Sequence, residues 1–186
     1  IITVSPESYR RVQERCLLDR SGTGWRGVAR GTMLPDSGTA LPSLPTATWL
    51  DEVLTTARES QRLVAIRFGR TADPCCQTVD GILREVVASP SVLGSEEAAS
   101  MLSVFTVDID EVPEFTYMYE LYDPCSVMIF HRSKPLLIDA GHGPVRKLTE
   151  FAQHHGPSLA VLLAAATRTV LEHLSSSQQG SGPPVV

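Results

Sequence analysis

The sequence predicts an α/β domain: a four-stranded mixed sheet flanked by helices. Two observations carry that expectation. Apolar runs of strand length alternate with stretches of helical spacing, which favours parallel pairing of helix-separated strands. Two further strands then follow each other across a short polar connection, which adds antiparallel neighbours.

The elements are expected in this order. Thr48 caps a helix in which Trp49, Val53, Leu54 and Ala57 share one face. Leu63-Val-Ala-Ile-Arg-Phe68 is a strand apolar enough to be central, and Gly69 to Pro74 is a loop. Val79, Ile82, Leu83, Val86 and Val87 recur at the spacing of an amphipathic helix. Ser89 to about Ser100 reads as a surface insertion. Leu102 to Val107 alternates as a second strand, and Glu114 to Tyr119 forms a short helix started near Pro113. Val127 to His131 is a third strand, Arg132 to Pro135 a hairpin-like connection, and Leu136 to Ala140 a fourth strand. A last helix runs from about Ser158 to Leu174. This order is that of a thioredoxin-like fold.

Composition bounds the rest. A chain of 186 residues, 42% hydrophobic, holds one domain with a core plus loose ends. Residues 1–40 read as an arm and Gly/Ser-rich linker, 41–174 as the folded domain, and 175–186 as a second flexible linker. No apolar run reaches the roughly 20 residues of a membrane span. The amino end lacks the charged start and apolar middle of a secretory leader, so an intracellular protein is expected. A net charge of −5 argues against a broad phosphate-gripping surface, with only a local basic cluster at Arg10, Arg11 and Arg15. Four cysteines (Cys16, Cys75, Cys76 and Cys125) are too few and too irregular for a secreted disulfide framework.

In a thioredoxin oxidoreductase the first central strand enters a Cys-x-x-Cys at a helix start, where the helix end lowers the thiol pKa. Here, with Cys76 aligned to the resolving cysteine, Asp73 stands where the nucleophile belongs and Pro74 follows it. A carboxylate caps a helix but exchanges no disulfides. The proline expected before the third strand falls on Ser126, with Pro124 two residues early. Asp73, Pro74, Cys76 and Ser126 thus read as a degenerate redox site with no catalytic residue. Cys76 and Cys125 either lie buried as small hydrophobes or form a disulfide, if their Cα atoms lie about 4.4–6.8 Å apart. No cofactor and no metal is expected: no histidine stands at supporting spacing, and His142, His154 and His155 read as turn residues.

The most specific stretch is Met118-Tyr-Glu-Leu-Tyr-Asp-Pro-Cys-Ser-Val-Met128, joined by Leu63 to Arg70, Asp73-Pro74, Val107 to Phe115 and Asp139 to Gly143. These segments resemble the Dim/Dib family, the small thioredoxin-like protein of the U5 snRNP. The resemblance spans roughly Leu41 to Leu174. It implies a non-enzymatic, nuclear pre-mRNA splicing factor, a structural subunit of the U5 snRNP and the U4/U6.U5 tri-snRNP acting before spliceosome activation. Its implied partners are spliceosomal proteins, a Prp-eight-like scaffold and a Prp-six-like bridging protein, near 5′ splice-site RNA, with no membrane and no DNA. Aromatics beside acids suit a protein interface, so Tyr117, Tyr119, Glu120, Tyr122 and Asp123 are the expected partner-binding residues. The alternatives are a thiol-disulfide oxidoreductase and a thioredoxin-like adaptor outside splicing.

Ile1-Ile-Thr-Val-Ser-Pro-Glu-Ser-Tyr9 resembles the family's usual ending, and Gly182 to Val186 read into Ile1 continues it. The expectation is a tail moved to the front, either by the way the chain is presented or by circular permutation, which exposed neighbouring termini tolerate. The alternative is a chance match in an unrelated extension.

Overall fold

The computed structural model describes residues 2–4, 40–139, 143–149, 151 and 158–179. Several expectations lie outside these residues: the basic cluster at Arg10, Arg11 and Arg15, Cys16, the turn histidines, most of the arm and the carboxyl-terminal linker. The junction that would decide the permutation, Gly182–Val186 and Ile1, also lies outside them.

The centre is β2 (Leu63–Gly69), buried along its whole length. It pairs in parallel with β3 (Leu102–Val107), Leu63 opposite Leu102 and Phe68 opposite Val107. On its other side it pairs antiparallel with β4 (Cys125–His131), Leu63 opposite His131 and Gly69 opposite Cys125. The short β5 (Lys134–Pro135) completes a four-stranded sheet in the order β3-β2-β4-β5. This is the expected mixed sheet. The fourth strand divides where the sequence suggested one run: Leu136 bonds back to Ile129, and Leu137–Asp139 turns away as β6. There β6 pairs with β7 (Pro144–Val145) and, in parallel, with β1 (Thr3–Val4) at the amino end.

Strand alternation sends successive side chains to opposite faces and creates two cores. Val64, Ile66, Phe68, Met128 and Phe130 meet α1 (Ala47–Glu59) and α5 (Pro113–Tyr119) on one face. Leu63, Ala65, Cys125, Val127 and Ile129 meet α2 (Pro74–Ala88) and α6 (Leu159–Gln179) on the other. Each fully buried large aliphatic contributes roughly 1.5–3 kcal/mol of transfer free energy, so two covered faces are what stabilise this sheet. The helix α2 buries Val79, Leu83 and Val86, three of the five positions picked out by spacing, with Ile82 and Val87 partly buried beside them.

Four local expectations are corrected. Thr46, not Thr48, caps α1, its hydroxyl accepting from the Trp49 amide at 3.3 Å. The buried face is then Leu50, Leu54 and Ala57, and Trp49 is left 56% exposed. The supposed surface insertion instead folds as α3 (Pro90–Leu93) and α4 (Glu96–Met101), linked through left-handed Gly94 and capped by Ser95. It buries Leu93 and Ala98 within the α2/α6 core. Finally, α6 continues through Ser175 to Gln179, and the hydroxyls of Ser175, Ser176 and Ser177 donate to carbonyls one turn back instead of competing for the backbone.

The outer edge of β3 is covered at one end by the chain entering α1. Thr106 donates to the Pro42 carbonyl and accepts from the Leu44 amide, each at 2.9 Å. Among the described residues no helix is long and apolar enough to cross a membrane.

Candidate functional site

The carboxyl end of β2 runs into α2, and here the degenerate redox site is assembled. Asp73 has extended backbone (φ −72°, ψ 130°) and its carboxylate accepts from the Cys75 amide at 2.7 Å, with Pro74 as the first residue of the helix. An acceptor at this position satisfies an otherwise orphaned amide and complements the positive helix end, typically worth about 1 kcal/mol. Cys75 is exposed; Cys76, on the inner face, is fully buried.

Cys76 lies against the start of β4, its thiol donating to the Pro124 carbonyl at 3.4 Å. Cys125 is buried beside it, and Cys75, Cys76 and Cys125 are all free thiols, so the disulfide that the sequence permits is not formed here. Burial pushes the Cys76 thiol up, with the Cys125 hydrogen bond and Arg67 only partly opposing it. Burial pushes Cys125 up further, with Cys76 adding to the effect. A thiol held protonated is a poor nucleophile at neutral pH, the reverse of an attacking cysteine.

Close approach is possible because residue 69 is glycine. It has φ +152°, and a Cβ there would run into the Cys76 sulfur and lie 2.7 Å from the Pro124 carbonyl oxygen. Ser126 does not complete the cluster. It alternates with Cys125 and lies on the side of Met128 and Phe130, its buried hydroxyl without a hydrogen-bond partner. Its backbone pairs with Phe68 on β2, one residue before Gly69.

Arg67 is the residue that sequence reasoning missed. It is 1% exposed, and its guanidinium donates to both oxygens of Asp80 at 2.8 and 2.9 Å and to the Gly69 carbonyl at 2.9 Å. Burial opposes its charge, yet the Asp80 pair, with Cys76 and Cys125 nearby, carries its pKa above the ordinary value. A lone charge inside Leu63-Val-Ala-Ile-Arg-Phe68 was the available signal, since buried arginine demands a partner. The neighbouring loop is tied by Arg70 to Asp110 (2.8 Å twice), and Asp108 accepts from the Thr71 and Asp110 amides.

The tyrosine-rich segment lies at the end of α5. Tyr117 and Tyr122 are 75% and 71% exposed, and Met118 beside them 64%. Tyr119 instead packs inward against Phe115 and Phe130, with ring centroids 5.9 and 5.8 Å apart. Glu120 takes left-handed backbone (φ 54°) to end the helix, and its carbonyl accepts from Lys147 at 2.6 Å. Asp123 pairs with the same lysine at 2.6 Å. Tyr117, Tyr122 and the exposed Glu120 side chain are therefore free to meet a partner, whereas Tyr119 and Asp123 hold the segment in shape. Among the described residues no three His, Cys, Asp or Glu side chains converge as a metal site.

The chain is similar in sequence to several known proteins. The "Mitosis protein dim1" of Schizosaccharomyces pombe is 39% identical over 108 residues, covering 58% of this chain and 69% of that protein. The "Spliceosomal protein DIB1" of Saccharomyces cerevisiae is 38% identical over 108 residues, covering 58% and 68%. A solved thioredoxin of Malassezia sympodialis is 13% identical with a TM-score of 0.48, covering 76% of this chain and 99% of its own. The family described as "Mitosis protein DIM1" matches residues 40–168, so the chain is a member of the DIM1 family.

Proposed function

We propose that this chain is a non-enzymatic pre-mRNA splicing factor, a nuclear structural subunit of the U5 snRNP and the U4/U6.U5 tri-snRNP acting before spliceosome activation. The observation that carries the reading is the family match over residues 40–168, with a relative named as a spliceosomal protein. The site geometry favours a shaped building block over a redox enzyme: Asp73 is engaged as a helix cap, and Cys76 and Cys125 are buried with raised pKa values. In this reading the domain of 41–174 is the assembling unit, and Tyr117, Glu120 and Tyr122 offer it a protein-facing surface. Its partners are a Prp-eight-like scaffold and a Prp-six-like bridging protein, close to the 5′ splice site.

The test is recovery of tagged full-length chain from nuclear extract, followed by protein identification and probing for U5 RNA. Tri-snRNP proteins and U5 RNA should co-purify. Their absence sinks the reading in favour of an adaptor outside splicing, and insulin reduction that is lost on Cys76→Ser would establish an oxidoreductase instead.

A further inference from the structure

A groove of about 310 Å³ opens between α1 and α5, away from the cysteines. Leu54, Phe115, Met118 and Tyr119 supply apolar wall, while Asp51 and Glu114 stand on opposite helices among its lining residues. Unpaired exposed acids such as Glu59, Glu96 and Glu111 occur elsewhere in the fold, but Asp51 and Glu114 are the two that line this groove beside its apolar wall. Asp80, Asp110 and Asp123 are each paired with Arg67, Arg70 and Lys147 respectively. Among the described residues the carboxylates of Asp51 and Glu114 have no ion-pair or hydrogen-bond partner, and both are exposed.

We infer that this groove receives an arginine side chain from a partner protein, its methylenes on Met118 and Leu54 and its guanidinium between Asp51 and Glu114. The inference rests on the assembly role proposed above and names the chemistry of one contact within it. The charge arrangement selects the occupant. An apolar side chain would strip water from two carboxylates and return nothing. A nucleic acid would bring phosphates against them. A long cation with an apolar stem satisfies both halves of the groove, and a planar guanidinium also stacks on an aromatic such as Tyr119. The volume, near the lower end of small-ligand pockets, suits one side chain rather than a helix. Exposed Met118 and Tyr117 at the rim would cover the neighbouring residues of the same partner segment.

The test is an amide NMR titration of the full chain with acetyl-Leu-Arg-Leu-amide and with its citrulline analogue. The arginine peptide should give saturable shifts confined to 51–55 and 114–119. The citrulline peptide, or the arginine peptide on the Asp51→Asn/Glu114→Gln variant, should bind at least about tenfold more weakly, since a charged hydrogen bond is lost. The inference is overturned by equal binding of the citrulline peptide, by unchanged binding to the variant, by shifts elsewhere, or by no saturable shift. Displacement of the peptide by a short single-stranded RNA also overturns it. Because the titration uses the isolated chain, it can fail while the chain still recovers U5 components, and it can succeed when that recovery fails.

Discussion

Arg67 and Asp80 are joined by two parallel hydrogen bonds of 2.8 and 2.9 Å, with the arginine side chain 1% exposed and the aspartate 19%. The pair locks the end of β2 to the middle of α2, so the loop holding Asp73 is braced from both sides. Removing one partner strands a buried charge. Asp80→Ala is therefore expected to lower unfolding free energy by roughly 3–5 kcal/mol. The double change Arg67→Leu/Asp80→Leu should cost clearly less than Asp80→Ala alone. Urea denaturation checks both, and equal losses would show that the pair is not coupled.

Gly69→Ala places a methyl group against the Cys76 sulfur and the Pro124 carbonyl, at a backbone angle that L-residues rarely adopt. Overpacking and conformational strain should together cost roughly 2–4 kcal/mol. Gly143, also at positive φ but with open space around its would-be Cβ, should lose less on the same substitution. Comparing the two by thermal unfolding separates steric crowding from backbone strain.

The three described thiols should differ in reactivity. A brief pulse of iodoacetamide at pH 7.5, mapped by peptide mass, should label exposed Cys75 and spare Cys76 and Cys125. The stability consequence has a definite sign. Cys76 is raised above its ordinary value of 9.0, so the folded state keeps a proton that the unfolded chain releases. Stability is fully present below pH 9 and falls as pH rises above it. Cys76→Ala should flatten part of that alkaline decline in denaturation midpoints.

On β4, His131 is 6% exposed and its Nδ1 is buried without a hydrogen-bond partner. Burial first, then Arg132 and His173, hold its pKa below the ordinary 6.5. The unfolded chain thus takes up a proton that the folded state refuses. Stability is fully present above pH 6.5 and is lost as pH falls through the lower folded value. His131→Leu is expected to remove that component, measured as a shallower slope of unfolding free energy between pH 6.5 and 5.

Much of this architecture was legible in the chain because single elements declare themselves locally. The spacing of Val79, Leu83 and Val86 shows a helix face, and Leu63 to Phe68 is too apolar for anything but a covered strand. Asp73-Pro74 reads as a helix start by cap chemistry alone. What was not legible depends on pairings between distant segments. Nothing in the order of residues says that Arg67 meets Asp80 rather than solvent, or that Leu93 and Ala98 find α6. The face that Ser126 presents was also not legible, because it depends on the register of β4 against β2. Likewise the sequence does not say which of Tyr117, Tyr119 and Tyr122 packs inward; that depends on the contact of Tyr119 with Phe130 on a neighbouring element.

The parallel pairing of Thr3–Val4 with Leu137–Ile138 has its own implication. It seals one flank of β6, and Ile2 settles against the α2/α6 core beside it. Trimming residues 1–4 would bare a row of backbone donors and acceptors on that flank, a template on which another molecule could add a strand. Chains lacking residues 1–4 are thus expected to self-associate more readily, which light scattering would detect.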